Sequence, residues 1–302
     1  MKNLVIILLL VSASVFAQQD AQYTNYMYNT INVNPAYAGS RGVMSIFGLY
    51  RSQWVGLDGA PVTGTVSLNT PIENSNIGLG LSFENDRIGS SDASAIAADL
   101  SYAIQVSETY KLAFGVKGTA NLFSVDYTKL NRYDLNDPKF QNNVENKFSP
   151  NIGAGLYFYS DKLYLGLSVP HILDTDVYDD NNASANLETM HYYIIGGYVF
   201  DLSPSLQFKP AVMCKTVEGA PLQVDVSANF LFNEKFTLGA AYRWDAAMSV
   251  LAGFQISSGL LIGYGYDLET TKLANYNSGS HEVFLRFELS KNRERIDTPR
   301  FF

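Results

Sequence analysis

Three histidines (His171, His191 and His281), one cysteine (Cys214) and the acidic stretch from Leu173 to Asn181 are the positions whose residue types suit catalysis or metal binding. None of the histidines stands in a metal-ligand spacing or beside a serine motif of the hydrolase kind. An enzyme would need the fold to bring a histidine and a serine together. The stretch Leu173-Asp174-Thr175-Asp176-Val177-Tyr178-Asp179-Asp180-Asn181 resembles the opening of a calcium loop but lacks the glycine at position six and the distant glutamate, so it reads as a solvated acidic loop. Cys214 has no partner for an intramolecular disulfide and reads as a small strand residue. No catalytic residue, metal ligand or cofactor site is expected. The remaining chemistry lies in charges set within otherwise apolar runs: Arg51, Lys117, Lys209, Arg243 and Arg286, with Glu84, Asp99, Asp225 and Glu288.

The elements that must hold those charges follow from the chain's organisation. Lys2, the apolar run Leu4 to Val11 and the small-residue end Val15-Phe16-Ala17 form a secretory signal over residues 1–17, with the cut expected after Ala17. No later run approaches the eighteen apolar residues of a membrane helix. The 302 residues are 47% hydrophobic and 13% aromatic, and only 17% are charged, well below the roughly 25% of soluble domains. A formal net charge of −8 without a basic stripe argues against a nucleic-acid partner. No linker or low-complexity block divides the chain, so residues 18–40 read as a leader and 41–302 as one domain.

That domain repeats one theme of alternating apolar and polar side chains, the period of a strand with one greasy and one wet face. The runs are 43–51, 62–71, 76–86, 93–106, 109–122, 149–160, 162–170, 190–200, 205–216, 221–231, 235–244, 247–257, 259–268 and 281–290. They make about fourteen strands of roughly ten residues, the length a tilted strand needs to cross a bilayer. The connections alternate short and long, with 123–148, 171–189 and 269–280 the long ones. The expected fold is therefore all-β: a closed antiparallel transmembrane β-barrel in the outer membrane, surrounded by lipid, with both termini on the periplasmic side. Leu222, Val224, Val226, Ala228 and Phe230 face lipid in this reading, and Gln223, Asp225, Ser227 and Asn229 face inward. Pro210 falls mid-run, where a ladder needs its missing N–H, and a bulge is expected there.

The leader is too aromatic for a solvated tail and too irregular for a strand, and its tyrosines find their sink in the barrel interior, making it a luminal plug segment. Tyr26-Met27-Tyr28-Asn29, Asn34-Pro35-Ala36-Tyr37-Ala38-Gly39-Ser40, Tyr50-Arg51-Ser52-Gln53-Trp54, Asp58-Gly59-Ala60-Pro61 and Asn85-Asp86-Arg87-Ile88-Gly89 resemble the N-terminal signature of the PorP/SprF family, although Tyr28-Asn29-Thr30 stands where the family commonly has Phe-Asn-Pro. The resemblance implies an outer-membrane barrel of the type IX secretion and gliding machinery of Bacteroidota, without enzymatic activity. It also implies service in secretion or surface retention of large cargo, and links to periplasmic ring or peptidoglycan-binding components. The family motif places the plug–barrel contacts at Tyr26, Asn29, Asn34, Pro35, Tyr37, Gly39, Arg51, Gln53, Trp54, Asp86 and Arg87, and the outer loops offer Tyr127, Tyr133, Phe140, Tyr178 and Asp179 for cargo docking. A barrel like the fatty-acid transporters, moving small hydrophobic ligands, is the alternative. An apolar tunnel would favour it and the charged inward set disfavours it.

Overall fold

A computed structural model describes residues 23–24, 26–130, 142–173, 175–176, 186–188, 190–218 and 220–289. The strands are β1 (Met44–Ser52), β2 (Val62–Pro71), β3 (Ile77–Ile88), β4 (Ser91–Gln105), β5 (Lys111–Val125), β6 (Val144–Tyr159), β7 (Leu163–Val169), β8 (Thr175–Asp176) and β9 (Asn186–Glu188). They continue as β10 (His191–Tyr198), β11 (Phe200–Ser203), β12 (Leu206–Val217), β13 (Gln223–Phe232), β14 (Phe236–Arg243), β15 (Ala247–Ser257), β16 (Leu260–Glu269) and β17 (Ser280–Leu289). Fourteen of these, β1–β7, β10 and β12–β17, form a closed ring in which every neighbour is antiparallel; β1 pairs with β17 to shut it. The short β11 lies outside the ring against the start of β12, and β8 and β9 form a separate ribbon in the longest connection.

Closure follows from the medium. With no water in hydrocarbon, each backbone N–H and C=O must find a partner, and a ring leaves no edge. The alternation expected from sequence is the one found. In β14 Phe236, Leu238, Ala240 and Tyr242 are exposed, whereas Thr237 and Arg243 are buried; in β17 Val283, Leu285, Phe287 and Leu289 face out and Phe284 and Arg286 face in. Aromatic residues gather at strand ends on the outside, with Phe200 stacked on Phe208, Phe208 on Phe230, and Phe232 near Phe236 at one rim. Trp244 and Tyr276 stand exposed at the other, as interfacial belts require. No helix among the described residues is long and apolar enough to span a membrane.

Two details differ from the sequence expectation. Strands β4, β5 and β6 run further toward the long-loop end than their hydrophobic alternation indicates, so that Phe123 and Phe148 lie in ladder, paired with Ala93 and Leu122. Polar residues such as Asp92, Asn146 and Lys147 extend these strands beyond the greasy band. Pro210 makes no bulge: β12 pairs with β13 in unbroken register from Leu206 to Lys215. The break is in the neighbour instead. Pairing passes from Gly197–Ala211 to Phe200–Phe208, and the intervening Val199 donates its N–H to the Lys162 carbonyl at 2.9 Å. Proline's missing donor is met by interrupting the adjacent strand between β10 and β11.

A ring stabilised by cooperative pairing resists detergent until heated. Unheated protein is expected to migrate on a denaturing gel as a compact band that shifts on boiling; identical mobilities would contradict the closed barrel.

Candidate functional site

The described part of the leader lies against the inward faces of the ring. Tyr23, Tyr26, Met27, Tyr28, Ile31, Val33, Ala36, Tyr37 and Ala38 are buried in one cluster with Phe47, Leu49, Tyr157, Tyr159, Tyr164, Tyr193, Ile195 and Phe284 from the wall. Burying each large side chain contributes about 1.5–3 kcal/mol against leaving it in water, set against the entropy of ordering the segment. Tyr28 stacks on Phe284 at 4.8 Å, and Tyr37 meets Tyr157 edge-on at 5.6 Å.

Local sequence sets the leader's path. A single helical turn, α1 (Thr30–Val33), stops at Asn34, because Pro35 disfavours helix in the residue before it. The Asn34 side chain then caps the next turn by accepting from the Ala36 N–H at 3.0 Å, while its Nδ2 donates to the Leu156 carbonyl at 2.9 Å. Asparagine is suited here because it offers both an acceptor and a donor. Gly39 takes φ of +70°, and a Cβ there would lie 2.7 Å from the Cα of Gly78.

The wall opposite Asn34–Gly39 is a row of very small residues. Gly78, Ser101, Gly115, Gly155 and Ser168 are successive Cα partners across β3, β4, β5, β6 and β7. A Cβ on Gly78 would stand 2.1 Å from the Ala38 oxygen, one on Gly115 2.2 Å from the Ala36 nitrogen, and one on Gly155 2.2 Å from Asn34 Oδ1. The two serines serve the same backbone, Ser101 donating to the Ala38 carbonyl at 2.7 Å and Ser168 to the Val33 carbonyl at 2.6 Å. In the next inward row Lys117 donates to the Ile31 carbonyl at 3.2 Å, and Ile31 fills the space over Gly80.

Charge holds the two ends. At the short-turn rim Arg41 pairs with Glu288, which also lies 3.4 Å from Arg286 Nε. Lys209 and Arg286 sit 5.5 and 5.9 Å from the centre of the Tyr28 ring, whose negative face attracts both. At the long-loop rim Thr24 donates through its N–H to Glu282 and through its hydroxyl to Asp267, and accepts from Arg51. Arg243, itself bonded to Asp225 at 3.1 Å, donates to the Tyr23 carbonyl. Taking the long-loop rim as the outer mouth, the described leader runs from the outer to the periplasmic end. Tyr23 and Thr24 stand at the outer end and Arg41 at the periplasmic end, so the described segment preceding β1 passes through the ring.

Of the residues singled out from sequence, Tyr26, Asn29, Asn34, Pro35, Tyr37 and Arg51 are buried in this assembly and Gly39 is half-buried, with Asn29 accepting from Ser67 at 2.9 Å. The other four belong to the outer rim. Gln53 donates its backbone N–H to the Pro61 carbonyl, and the Trp54 indole donates to Glu269. Asp86 accepts from Thr63, and Arg87 forms an exposed pair with Asp92. Of the docking residues, Tyr127 is buried with Phe123 and Val125 beneath a short turn, so it offers no free surface. In that turn Asp126 accepts from the Thr128 hydroxyl, and that hydrogen bond holds its carboxyl below the usual range. Tyr133, Phe140, Tyr178 and Asp179 lie outside the described residues, as do the signal residues 1–17. Thr24, Asp267, Glu282 and the Gly/Ser row were missed from sequence.

The family model described as type IX secretion system membrane protein PorP/SprF matches residues 15–287. The chain belongs to the PorP/SprF family. Among solved structures the CymD monoaromatic hydrocarbon channel is similar at a TM-score of 0.51 and 10% identity, covering 93% of this chain and 97% of that one. A TodX monoaromatic hydrocarbon channel mutant gives 0.50 at 8% identity, covering 89% and 94%. At such identities the likeness concerns fold alone. No curated protein matches the chain. Family and fold place this PorP/SprF protein in the outer membrane, its apolar face against lipid.

Two outcomes are expected. Gly115→Val should expel the leader at a cost of about 1–3 kcal/mol or more, because the wall cannot yield; limited proteolysis should then cut within residues 26–40 while the gel shift persists. An epitope placed after Gln18 should be read from outside intact cells.

Proposed function

We propose that this PorP/SprF barrel is a non-enzymatic partner of the type IX machine that helps secrete or retain large surface proteins such as adhesins, and that its leader acts as a plug. The observation that carries the reading is the leader's packing along the Gly/Ser row, which occupies the space a translocating chain would need. Even sixteen-strand porins pass only small solutes, so cargo is met at the outer mouth and loops rather than threaded through. Tyr133, Phe140, Tyr178 and Asp179 in the long connections supply aromatic and acidic contacts for it. The periplasmic turns, with exposed Lys162 paired to Asp201, contact the secretion ring or peptidoglycan-binding components. Residues 1–17 direct export, residues 18–40 form the plug and the remainder the barrel. The solved neighbours named as hydrocarbon channels share the fold, but the inward face here carries Arg51, Lys117, Arg243, Asp99, Asp225 and Asp267, which suit water and polar partners rather than a hydrophobic tunnel.

Deleting the gene should remove one or a few large proteins from the cell surface while general type IX secretion continues. Replacing residues 130–142 by a short polar turn should reproduce that loss with the barrel assembled. An unchanged surface proteome together with lost uptake of a small hydrophobic compound would establish the transporter reading instead.

A further inference from the structure

At the outer mouth two consecutive leader residues are read through five polar groups. The Thr24 N–H lies 3.1 Å from Glu282, its hydroxyl 2.7 Å from Asp267 and 2.8 Å from Arg51, and the Tyr23 carbonyl 3.2 Å from Arg243; the Tyr23 phenol donates to Glu84. The wall groups are also bonded to one another: Arg51 to Asp267 at 2.7 Å and to Glu282 at 3.2 Å, and Arg243 to Asp225 at 3.1 Å. Arg51, Asp267 and Glu282 are almost wholly buried. These pairs tie β1 to β16 and β17, and β13 to β14, so each half of the cluster is organised by the barrel itself rather than by the leader.

Two of the five contacts are to backbone, which any peptide presents, and the other three select an aromatic hydroxyl and an aliphatic one. The rest of the described leader lies deeper in the lumen, with Asn34 to Gly39 on the Gly/Ser row. Only its outermost residues are placed to exchange with a partner arriving at the mouth.

We propose that this cluster is a peptide-binding subsite which the chain's own Tyr23-Thr24 occupies, and that a segment of a secreted surface partner, bearing an aromatic residue followed by a hydroxyl residue, takes the same place. The proposal rests on the reading that cargo is met at the outer mouth. Displacing these two residues leaves the contacts of Asn34 to Gly39 with the Gly/Ser row in place, so cargo can dock while the lumen stays filled.

The test uses the full chain in detergent and a fluorescent synthetic peptide with the sequence of residues 18–29 as probe. Thr24→Val loosens the leader's own end, so the variant should bind the probe at least tenfold more tightly than the unaltered chain, with the heat shift retained as the control for folding. Adding Asp267→Asn to Thr24→Val should abolish the gain, and a probe with valine in place of the Thr24 hydroxyl residue should not bind. Equal binding by Thr24→Val and the unaltered chain, or indifference to the probe's threonine, would overturn the subsite. If deletion of the gene strips surface proteins yet the probe behaves so, the subsite fails and the broader function stands; probe binding as expected with an unchanged surface proteome supports the subsite and removes the function.

Discussion

The architecture depends on a steric constraint: the segment from Asn34 to Gly39 lies so close to the wall that the wall has no room for a Cβ at Gly78 or Gly115, where the leader backbone stands, or at Gly155, where the Asn34 side chain does. Three glycines and two serines in one register row are therefore coupled to a leader motif more than thirty residues upstream of the first of them. Each side would be weak without the other. A strand glycine costs conformational entropy and packs nothing, and a leader of exposed tyrosines has no stable conformation of its own. Together they form a buried contact in which the leader's carbonyls are met by Ser101, Lys117 and Ser168.

The charges act at the ends of that contact. A buried ion pair adds little net stability, because desolvation offsets the attraction, but breaking one leaves an uncompensated charge. Arg41 with Glu288 at one rim and Thr24 among Arg51, Asp267 and Glu282 at the other thus fix where the leader starts and ends more than how tightly it is held. Apolar burial and the small-residue row supply the grip between them. This division lets the outer end loosen without freeing the middle.

Much of the ring was legible in the sequence, since every crossing strand carries a two-residue alternation and a bilayer fixes its length. Asp225 and Arg243 betrayed themselves as inward residues because they share phase with serine, threonine and asparagine, and Arg286 because it alternates with Leu285 and Phe287. The limits of β5 and β6 were less legible, because beyond the greasy band the pattern that marks a strand disappears. The Gly/Ser row was invisible for a different reason. Gly78, Ser101, Gly115, Gly155 and Ser168 become neighbours only through register, which no single strand reveals. Likewise Thr24, one hydroxyl in a polar leader, gains meaning only from Asp267 and Glu282, which lie over two hundred and forty residues away.

The central claim, that the leader backbone lies on this row in the native membrane, is tested most directly by a disulfide between positions 38 and 101. Ala38 and Ser101 are in contact, the serine hydroxyl lying 2.7 Å from the Ala38 carbonyl. Ala38→Cys with Ser101→Cys, in a Cys214→Ser background, should crosslink within one chain on mild oxidation of isolated outer membranes, giving a band whose mobility reverts on reduction. Absence of that crosslink in protein that still shows the heat-dependent shift would contradict the account.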